Sequence, residues 1–163
     1  MELIDIGCNL THDSFDSDRD EVIEAAYEAG VTRLIVTGAS AQGSVAALEL
    51  ARQRPGQLYA TAGVHPHRAS HYDDDTDRLL RELATQTGLV AVGETGLDYF
   101  RDFSPRDAQR DSFERQVQIA IDTGLPLFLH QRDAHDDFIA IVREHRDQLD
   151  TVVVHCFTGS QPE

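Results

Sequence analysis

The sequence contains no lysine, so arginine supplies all 14 of its fixed positive charges against 29 acidic side chains. The formal net charge at pH 7 is −15. So acidic a surface opposes binding to nucleic acid at low salt. One hypothesis is a salt-loving host, because molar salt screens the mutual repulsion of the acidic groups. The other is an acidic protein from a GC-rich genome, and the two hypotheses differ in whether molar salt stabilises the fold.

Cysteine is scarce and long hydrophobic runs are absent. Cys8 and Cys156 do not have the spacing of a metal site, and two thiols in an α/β domain are usually reduced. Neither has an identifiable activating base, so we expect no nucleophilic cysteine. No apolar run approaches the roughly 18 residues of a membrane span, and the acidic start lacks the basic region of a secretory signal. We therefore expect a cytoplasmic protein without a membrane partner.

Six short apolar runs recur along the chain, each ending in a polar or small-residue motif: 3–9, 34–38, 60–67, 90–98, 125–130 and 152–159. Helical periodicity occupies the segments between them, at 18–29, 44–53, 76–87 and 135–147, with another helix that begins with Ser104 as its cap and ends at Gly124. Alternating strands and helices predict a parallel α/β fold. The length of 163 residues fits a single domain over 1–163.

Six strands leave two architectures open. A closed (β/α)8 barrel needs eight strands and roughly 250 residues, so this chain would hold about six of its eight βα units. The alternative is a complete, open, doubly wound sheet of six strands. An open sheet of that kind usually has a glycine-rich phosphate loop after its first strand, and Gly7-Cys8-Asn9-Leu10 is not such a loop.

Three of the apolar runs end on or next to residues that bind metals, namely Glu94, His130 and His155. In a parallel barrel the active site lies where the strands end, so these side chains are expected to meet. One carboxylate and two imidazoles suit a divalent metal with open positions for water and substrate. Such a metal would support hydrolysis. The alternative for each histidine alone is an ordinary structural hydrogen bond.

Four further residues lie close to these positions. His65 has either a substrate or phosphate role or a structural hydrogen bond, whereas His67 is expected on the loop surface. Arg132 would pair with a phosphate, or instead form a salt bridge to a neighbouring aspartate. Asp98 would act behind the metal ligands by accepting a hydrogen bond from one of the histidines.

Charged and aromatic residues crowd two other segments. The loop and helix after the fourth run contain Tyr99, Phe100, Arg101, Phe103, Arg106 and Arg110. These side chains could stack a nucleic-acid base and hold a backbone phosphate. The alternative is ordinary packing of the loop and solvation of the helix. Asp73-Asp74-Asp75 is interpreted as a solvated helix start, where carboxylates favour the helix dipole.

Four ordered motifs, Gly63-Val64-His65-Pro66-His67, Gly93-Glu94-Thr95-Gly96-Leu97-Asp98-Tyr99, His130-Gln131-Arg132-Asp133-Ala134 and His155-Cys156-Phe157-Thr158-Gly159, together resemble the TatD-type deoxyribonuclease family. The resemblance implies a metal-dependent hydrolase on a TIM barrel. Members are typically magnesium-dependent enzymes that remove nucleotides from 3′ ends of DNA. The resemblance therefore implies Glu94, His130 and His155 as ligands of a divalent cation, Mg²⁺ with Mn²⁺ or Zn²⁺ as alternatives, and DNA, single-stranded or at 3′ ends, as the substrate.

The sequence departs from that family pattern in two places. Gly7-Cys8-Asn9 stands where many members have a His-x-His pair, which removes two ligands of a second metal, so we expect one bound ion. The family's aspartate at the end of the eighth strand, a ligand and the expected catalytic base, would lie beyond residue 163. Three functions follow as hypotheses: a 3′–5′ exodeoxyribonuclease, a small-molecule hydrolase of the amidohydrolase kind, and a truncated, inactive family member.

Overall fold

A computed structural model describes residues 2–157, 159 and 160 of the chain. Its strands are β1 (Leu3–Cys8), β2 (Val31–Val36), β3 (Leu58–Ala62), β4 (Leu89–Asp98), β5 (Leu127–Arg132) and β6 (Val152–His155). Its α-helices are α1 (Arg19–Glu28), α2 (Ala41–Gln53), α3 (Asp74–Ala84), α4 (Arg106–Thr123) and α5 (His135–His145). Short 3₁₀ turns lie at Asp13–Phe15, Pro66–His71 and Arg146–Gln148.

The six strands form one parallel sheet in the order β1-β2-β3-β4-β5-β6. A doubly wound sheet reverses direction from a central strand, whereas here each strand lies beside the one before it, as in a barrel. The sheet is a curled half-barrel, which confirms the partial TIM barrel and excludes the doubly wound alternative. The single domain predicted over 1–163 stays a prediction, and it includes Met1, Thr158 and residues 161–163, which lie outside the described residues.

Side-chain caps set the starts of two helices. α2 begins at Ala41, ahead of the predicted position, because the Ser40 hydroxyl accepts the backbone N–H of Gly43 at 3.0 Å. α3 begins at Asp74 because the Asp73 carboxylate accepts the N–H of Thr76 at 2.8 Å, so the aspartate run is a helix start as predicted.

The predicted cap of α4 is wrong. Ser104 is buried and its hydroxyl accepts the N–H of Ser70 at 3.2 Å, and no side chain caps the helix. α4 ends as predicted, with Gly124 in the left-handed conformation at φ 69°.

The main core lies between the sheet and the helices on its convex side. Ile23, Leu48, Leu80 and Phe113 are almost completely buried there, and the rings of Phe113 and Phe138 stack with their centroids 5.5 Å apart. Burying a side chain of this size stabilises a fold by roughly 1.5–3 kcal/mol. Helices α4 and α5 are therefore fixed against the half of the sheet that contains β4 and β5.

The concave face is also apolar but is open. A cavity of about 220 Å³ lies against it, lined among others by Ile35, Ala91 and Phe128. Ile4 on β1 is 52% exposed and Val154 on β6 is 40% exposed. Among the described residues no strand pairs with the outer edge of β1 or of β6, so both edges are free, as expected for six of eight barrel units.

Within the described ranges, no helix is long and apolar enough to cross a membrane.

Replacing Gly96 with Ala should destabilise the fold more than a glycine replacement made in open space. Gly96 has φ +136°, and an added Cβ would overlap the carbonyl oxygen of His130 on β5. We expect G96A to lose about 3 kcal/mol or more of unfolding free energy in urea titrations. Gly56, with φ +83° and nothing near its added Cβ, is the matched control, for which a loss of about 1–2 kcal/mol is expected. Equal losses of unfolding free energy in G96A and G56A would show that the close approach of β4 to β5 does not contribute to stability.

Candidate metal centre

An irregularity in β4 directs Glu94 toward the site. Val92 pairs with Leu127 and Thr95 with Leu129, so three steps along β4 oppose two along β5. Such a bulge redirects a side chain and often lies beside an active site. The Glu94 N–H leaves the ladder with β5 and donates to the carbonyl of Gly38 at 2.8 Å. The Glu94 side chain, 12% exposed, consequently lies at the barrel mouth.

Three imidazoles converge on one oxygen of Glu94. Oε1 lies 2.5 Å from Nε2 of His155, 3.1 Å from Nδ1 of His130 and 3.5 Å from Nε2 of His65. One donor atom each from His65, Glu94 and His130 lies within 4.8 Å of the other two. The group with this geometry contains His65 and not the predicted ligand His155, whose Nε2 approaches Glu94 from the end of β6.

The surroundings of Glu94 favour the ionised form of its carboxyl group. Burial by itself would raise its pKa, but the hydrogen bonds from His130, His155 and His65 outweigh burial and hold the pKa far below its ordinary value. No arginine among the described residues forms an ion pair with Glu94. A buried carboxylate surrounded only by imidazoles is the donor chemistry that a divalent cation fits.

His130 is held between two carboxylates. Its Nε2 lies 3.2 Å from Oδ2 of Asp98, while its Nδ1 faces Glu94. A proton on Nε2 would be donated to Asp98 and would leave the Nδ1 lone pair for a metal, which would then replace the present contact between Nδ1 and Glu94. A carboxylate that orients a metal-binding histidine is a recurrent arrangement, and this is the position predicted for Asp98.

His65 has the opposite arrangement. Its Nδ1 accepts the backbone N–H of His67 at 3.2 Å, so the proton of the neutral ring is assigned to Nε2, the atom that faces Glu94. Burial lowers the pKa of His65, although Glu94 opposes that shift. The Nε2–H is therefore a hydrogen-bond donor directed into the site, which suits a substrate oxygen better than a metal.

Asp98 organises the loop behind the site. Its side chain is 1% exposed, and Oδ1 accepts the backbone N–H groups of Phe100 at 3.1 Å and Arg101 at 2.8 Å. Burial would raise the pKa of Asp98, but the N–H of Arg101, the contact with His67 and the nearby imidazoles lower it. His67 was expected on the loop surface, and that is wrong, because its Nε2 lies 2.7 Å from Oδ2 of Asp98.

The arginines near the site divide into two groups. Arg106 pairs with Asp102 and lies over the Tyr99 ring, and Arg110 contacts Asp137 together with the Tyr99 hydroxyl. These residues pack the loop, which was one of the two interpretations of this segment.

The Asp98 carboxylate contacts His67 and His130, so the predicted alternative of a bridge from Arg132 to Asp98 is not formed, and the bridge to Asp133 stays a prediction. Its guanidinium lies 3.9 Å from the centroid of the Phe100 ring.

Beside the imidazole cluster lies a pocket of about 520 Å³, formed at the ends of β1, β2 and β3. Glu94 and His65 line one wall, and Asn9, Thr37 and Arg68 line others. This pocket has space for a substrate group next to the cluster.

Two buried glutamines of α4 hold the strand ends in place, and they were not predicted. Gln109 exchanges hydrogen bonds with the backbone of Asp98 at 2.9 and 3.3 Å, and Gln116 does so with the backbone of Val64 at 2.8 and 3.1 Å. Both side chains are completely buried. They share the inward face of α4 with Phe113, and a polar residue in an apolar helix stripe was the clue that sequence offered.

The two cysteines should differ sharply in reactivity. Burial, with a smaller contribution from the charge of Asp5, raises the pKa of Cys8 to about 12, whereas Cys156 is exposed. Cys8 therefore stays a thiol at pH 8. We expect one fast-reacting thiol per folded chain in a colour assay with a disulfide reagent, lost in C156S, and two thiols after denaturation. Fast modification of folded C156S would contradict the burial of Cys8.

The sequence was compared with known proteins. Residues 4–163 match the family model described as TatD related DNase. Proteins named 3′-5′ ssDNA/RNA exonuclease TatD from Erwinia tasmaniensis and Escherichia coli K12 are 47% and 44% identical over 161 residues, which is 99% of this chain and 62% of each relative. The chain thus spans less than two thirds of the length of these curated relatives.

Solved structures agree with the sequence relatives. The crystal structure of YJJV, a TatD homologue from Escherichia coli K12, superimposes with a TM-score of 0.88 at 32% identity, covering 97% of this chain and 61% of YJJV. A hydrolase TatD family protein from Entamoeba histolytica gives a TM-score of 0.85 at 28% identity, covering 99% of this chain and 60% of that protein. With the family model matched from residue 4 to residue 163, this chain belongs to the TatD related DNase family.

Proposed function

We propose that this chain supplies the metal-binding part of a hydrolase that cleaves phosphodiester bonds of nucleic acid. The observation that carries the proposal is the ionised, buried Glu94 with three imidazoles around it. Glu94, His130 through Nδ1 and His155 through Nε2 would hold the ion. Asp98 would fix His130 from behind, as a carboxylate beside a metal-bound histidine does.

A bound divalent ion lowers the pKa of water and polarises a phosphoryl oxygen. His65 would donate its Nε2–H to an oxygen of the same phosphate, and Arg68, which lines the adjacent pocket, would add positive charge. The described carboxylates that touch these imidazoles are Glu94 and Asp98, and both have other tasks. We therefore assign the role of the base that accepts the water proton to neither of them.

The identity of the ion follows from its donors. The family resemblance implies Mg²⁺, which prefers oxygen ligands and retains its waters. A site with one carboxylate and two imidazoles is better suited to Mn²⁺ or Zn²⁺. We propose one ion, and Mn²⁺ is the practical probe because it accepts both kinds of donor.

Mn²⁺ titration by calorimetry tests the ligand set. We expect one ion per chain, lost in E94A and in H155A, because each replacement removes a ligand. H65A should keep the one-to-one stoichiometry with an affinity less than about 10-fold weaker, since His65 acts outside the ligand set. Glu49, an exposed glutamate on α2, provides the control E49A.

Two results would contradict this assignment. Unchanged Mn²⁺ binding by E94A would show that Glu94 is not a ligand and that the proposed metal site is wrong. Loss of binding in H65A with normal binding in H155A would make His65 the third ligand, contrary to the tautomer assigned from its contact with the His67 N–H.

The substrate is proposed from the family. The curated relatives carry the name 3′-5′ ssDNA/RNA exonuclease, so we propose single-stranded DNA or its 3′ ends as the substrate here, and the cytoplasm as the location. One observation favours a different substrate: a net charge of −15 repels nucleic acid. A small neutral ester or lactone, hydrolysed at the same cluster, is therefore the second candidate.

Assays of this protein with Mn²⁺ separate the two candidates. We expect a 5′-labelled single strand to shorten progressively from its 3′ end, because that end must reach the cluster at the barrel mouth. E94A should abolish this shortening, and E49A should not affect it. Ester or lactone turnover that depends on Glu94, without any shortening of the oligonucleotide, would establish the second candidate. Loss of neither activity in E94A would contradict both.

A further inference from the structure

Two exposed phenylalanines lie on the loop that follows β4, beside the imidazole cluster. Phe103 is 66% exposed and Phe100 is 55% exposed. Among the described residues these are the two most exposed phenylalanines. Phe100, Phe103 and Arg132 together are called the aromatic shelf.

The aromatic shelf connects to the cluster through ring contacts. The Phe103 ring packs against His67 at 4.8 Å between centroids, and His67 packs against His65 at 4.2 Å. His65 lies 3.5 Å from Glu94. Phe103 is thus separated from the proposed phosphate donor by a single imidazole, so a base on Phe103 and a phosphate at His65 would belong to the same or to adjacent nucleotides.

Positive charge accompanies the aromatic surface. The guanidinium of Arg132 covers Phe100 at 3.9 Å, and that of Arg101 lies 5.8 Å from the same ring. Both guanidinium groups therefore lie close to the Phe100 ring. Tyr99, Arg106 and Arg110 cannot contribute in the same way, because Asp102 and Asp137 already engage them. Local positive charge on an otherwise acidic protein is what a phosphate chain requires.

The loop that carries the shelf is fixed by the site itself. Oδ1 of Asp98 accepts the N–H groups of Phe100 and Arg101, while Oδ2 of the same carboxylate contacts His130 and His67. One side chain therefore contacts a proposed metal ligand and also fixes the backbone at Phe100 and Arg101, while Phe103 is connected to the cluster through His67. The distance between shelf and cluster is built into the fold.

We propose that the aromatic shelf binds an unpaired nucleobase of a single-stranded nucleic acid, by stacking on Phe103 and Phe100, with Arg132 and Arg101 holding the adjacent phosphates. Stacking needs an exposed base face, which a single strand offers and a duplex hides. This inference rests on the proposed function, and it identifies the part of the chain that selects single strands.

The test compares two ligands that differ only in their bases. Fluorescence anisotropy measures binding of an oligothymidylate and of an abasic oligomer with the same number of phosphates, with Ca²⁺ in place of Mn²⁺. In the parent protein the oligothymidylate should bind more tightly. Base stacking on aromatic residues is worth about 1–3 kcal/mol per base, so F103A should weaken oligothymidylate binding about 5- to 150-fold and leave abasic binding within about 2-fold.

Conservative variants separate stacking from packing against His67. F103W keeps an aromatic face and should retain the preference for bases, whereas F103L keeps apolar bulk and should lose it. The proposal would be overturned if F103A weakened the binding of the oligothymidylate and of the abasic oligomer equally. It would also be overturned if F103L kept the preference for bases. R132Q should weaken both ligands and reduce the salt dependence of binding, because Arg132 is assigned to phosphate rather than to base.

Failure of the shelf and failure of the hydrolase give different results. If F103L shortens the single strand at the parent rate and keeps the preference for bases, the hydrolase proposal is supported and the aromatic-shelf proposal is contradicted. The opposite result is also possible: the preference for bases changes with the residue at position 103, but the protein shortens no strand. That result would support the aromatic shelf and contradict the proposed hydrolase.

Discussion

The site depends on one constraint, the burial of the ionised Glu94 carboxylate among histidines. In water a carboxylate is hydrated, and its burial is unfavourable unless partners replace the water. Here the partners are three imidazole nitrogens within 3.5 Å of a single oxygen. Imidazoles that gather around one carboxylate without an arginine provide far less compensation than a divalent cation would. This set of donors fits the divalent cation that we propose for the site.

The sheet supplies this arrangement through small departures from regularity. The bulge in β4 brings Glu94 out of the ladder, and Gly93 and Gly96 on either side allow β4 to approach β5 more closely than a side chain would permit. On the other side, Gln109 and Gln116 of α4 bind the backbone at Asp98 and Val64. These hydrogen bonds fix the strand ends near Glu94 and His130, whereas the His155 ring stacks on Phe128 of the concave face with centroids 4.7 Å apart.

Much of the fold could be predicted from the sequence, because strands buried on both faces give apolar runs and amphipathic helices give a 3.6-residue period. Glu94, His130 and His155 follow such runs, so their convergence at the strand ends followed from the parallel topology. The role of His67 could not be predicted, because its contact with Asp98 joins residues 31 positions apart across a loop. Ser104 was misassigned for a similar reason, since its partner Ser70 lies on a distant turn. Contacts of this kind depend on tertiary packing and leave no local pattern.

The most direct test of this account is anomalous diffraction from crystals of the chain grown or soaked with Mn²⁺. The account predicts one strong peak within coordination distance of Glu94, His130 Nδ1 and His155 Nε2, with Asp98 hydrogen-bonded behind His130. A peak coordinated instead by the exposed aspartates at the start of α3, or no peak near Glu94 at saturating Mn²⁺, would contradict the claim that this cluster is a metal centre.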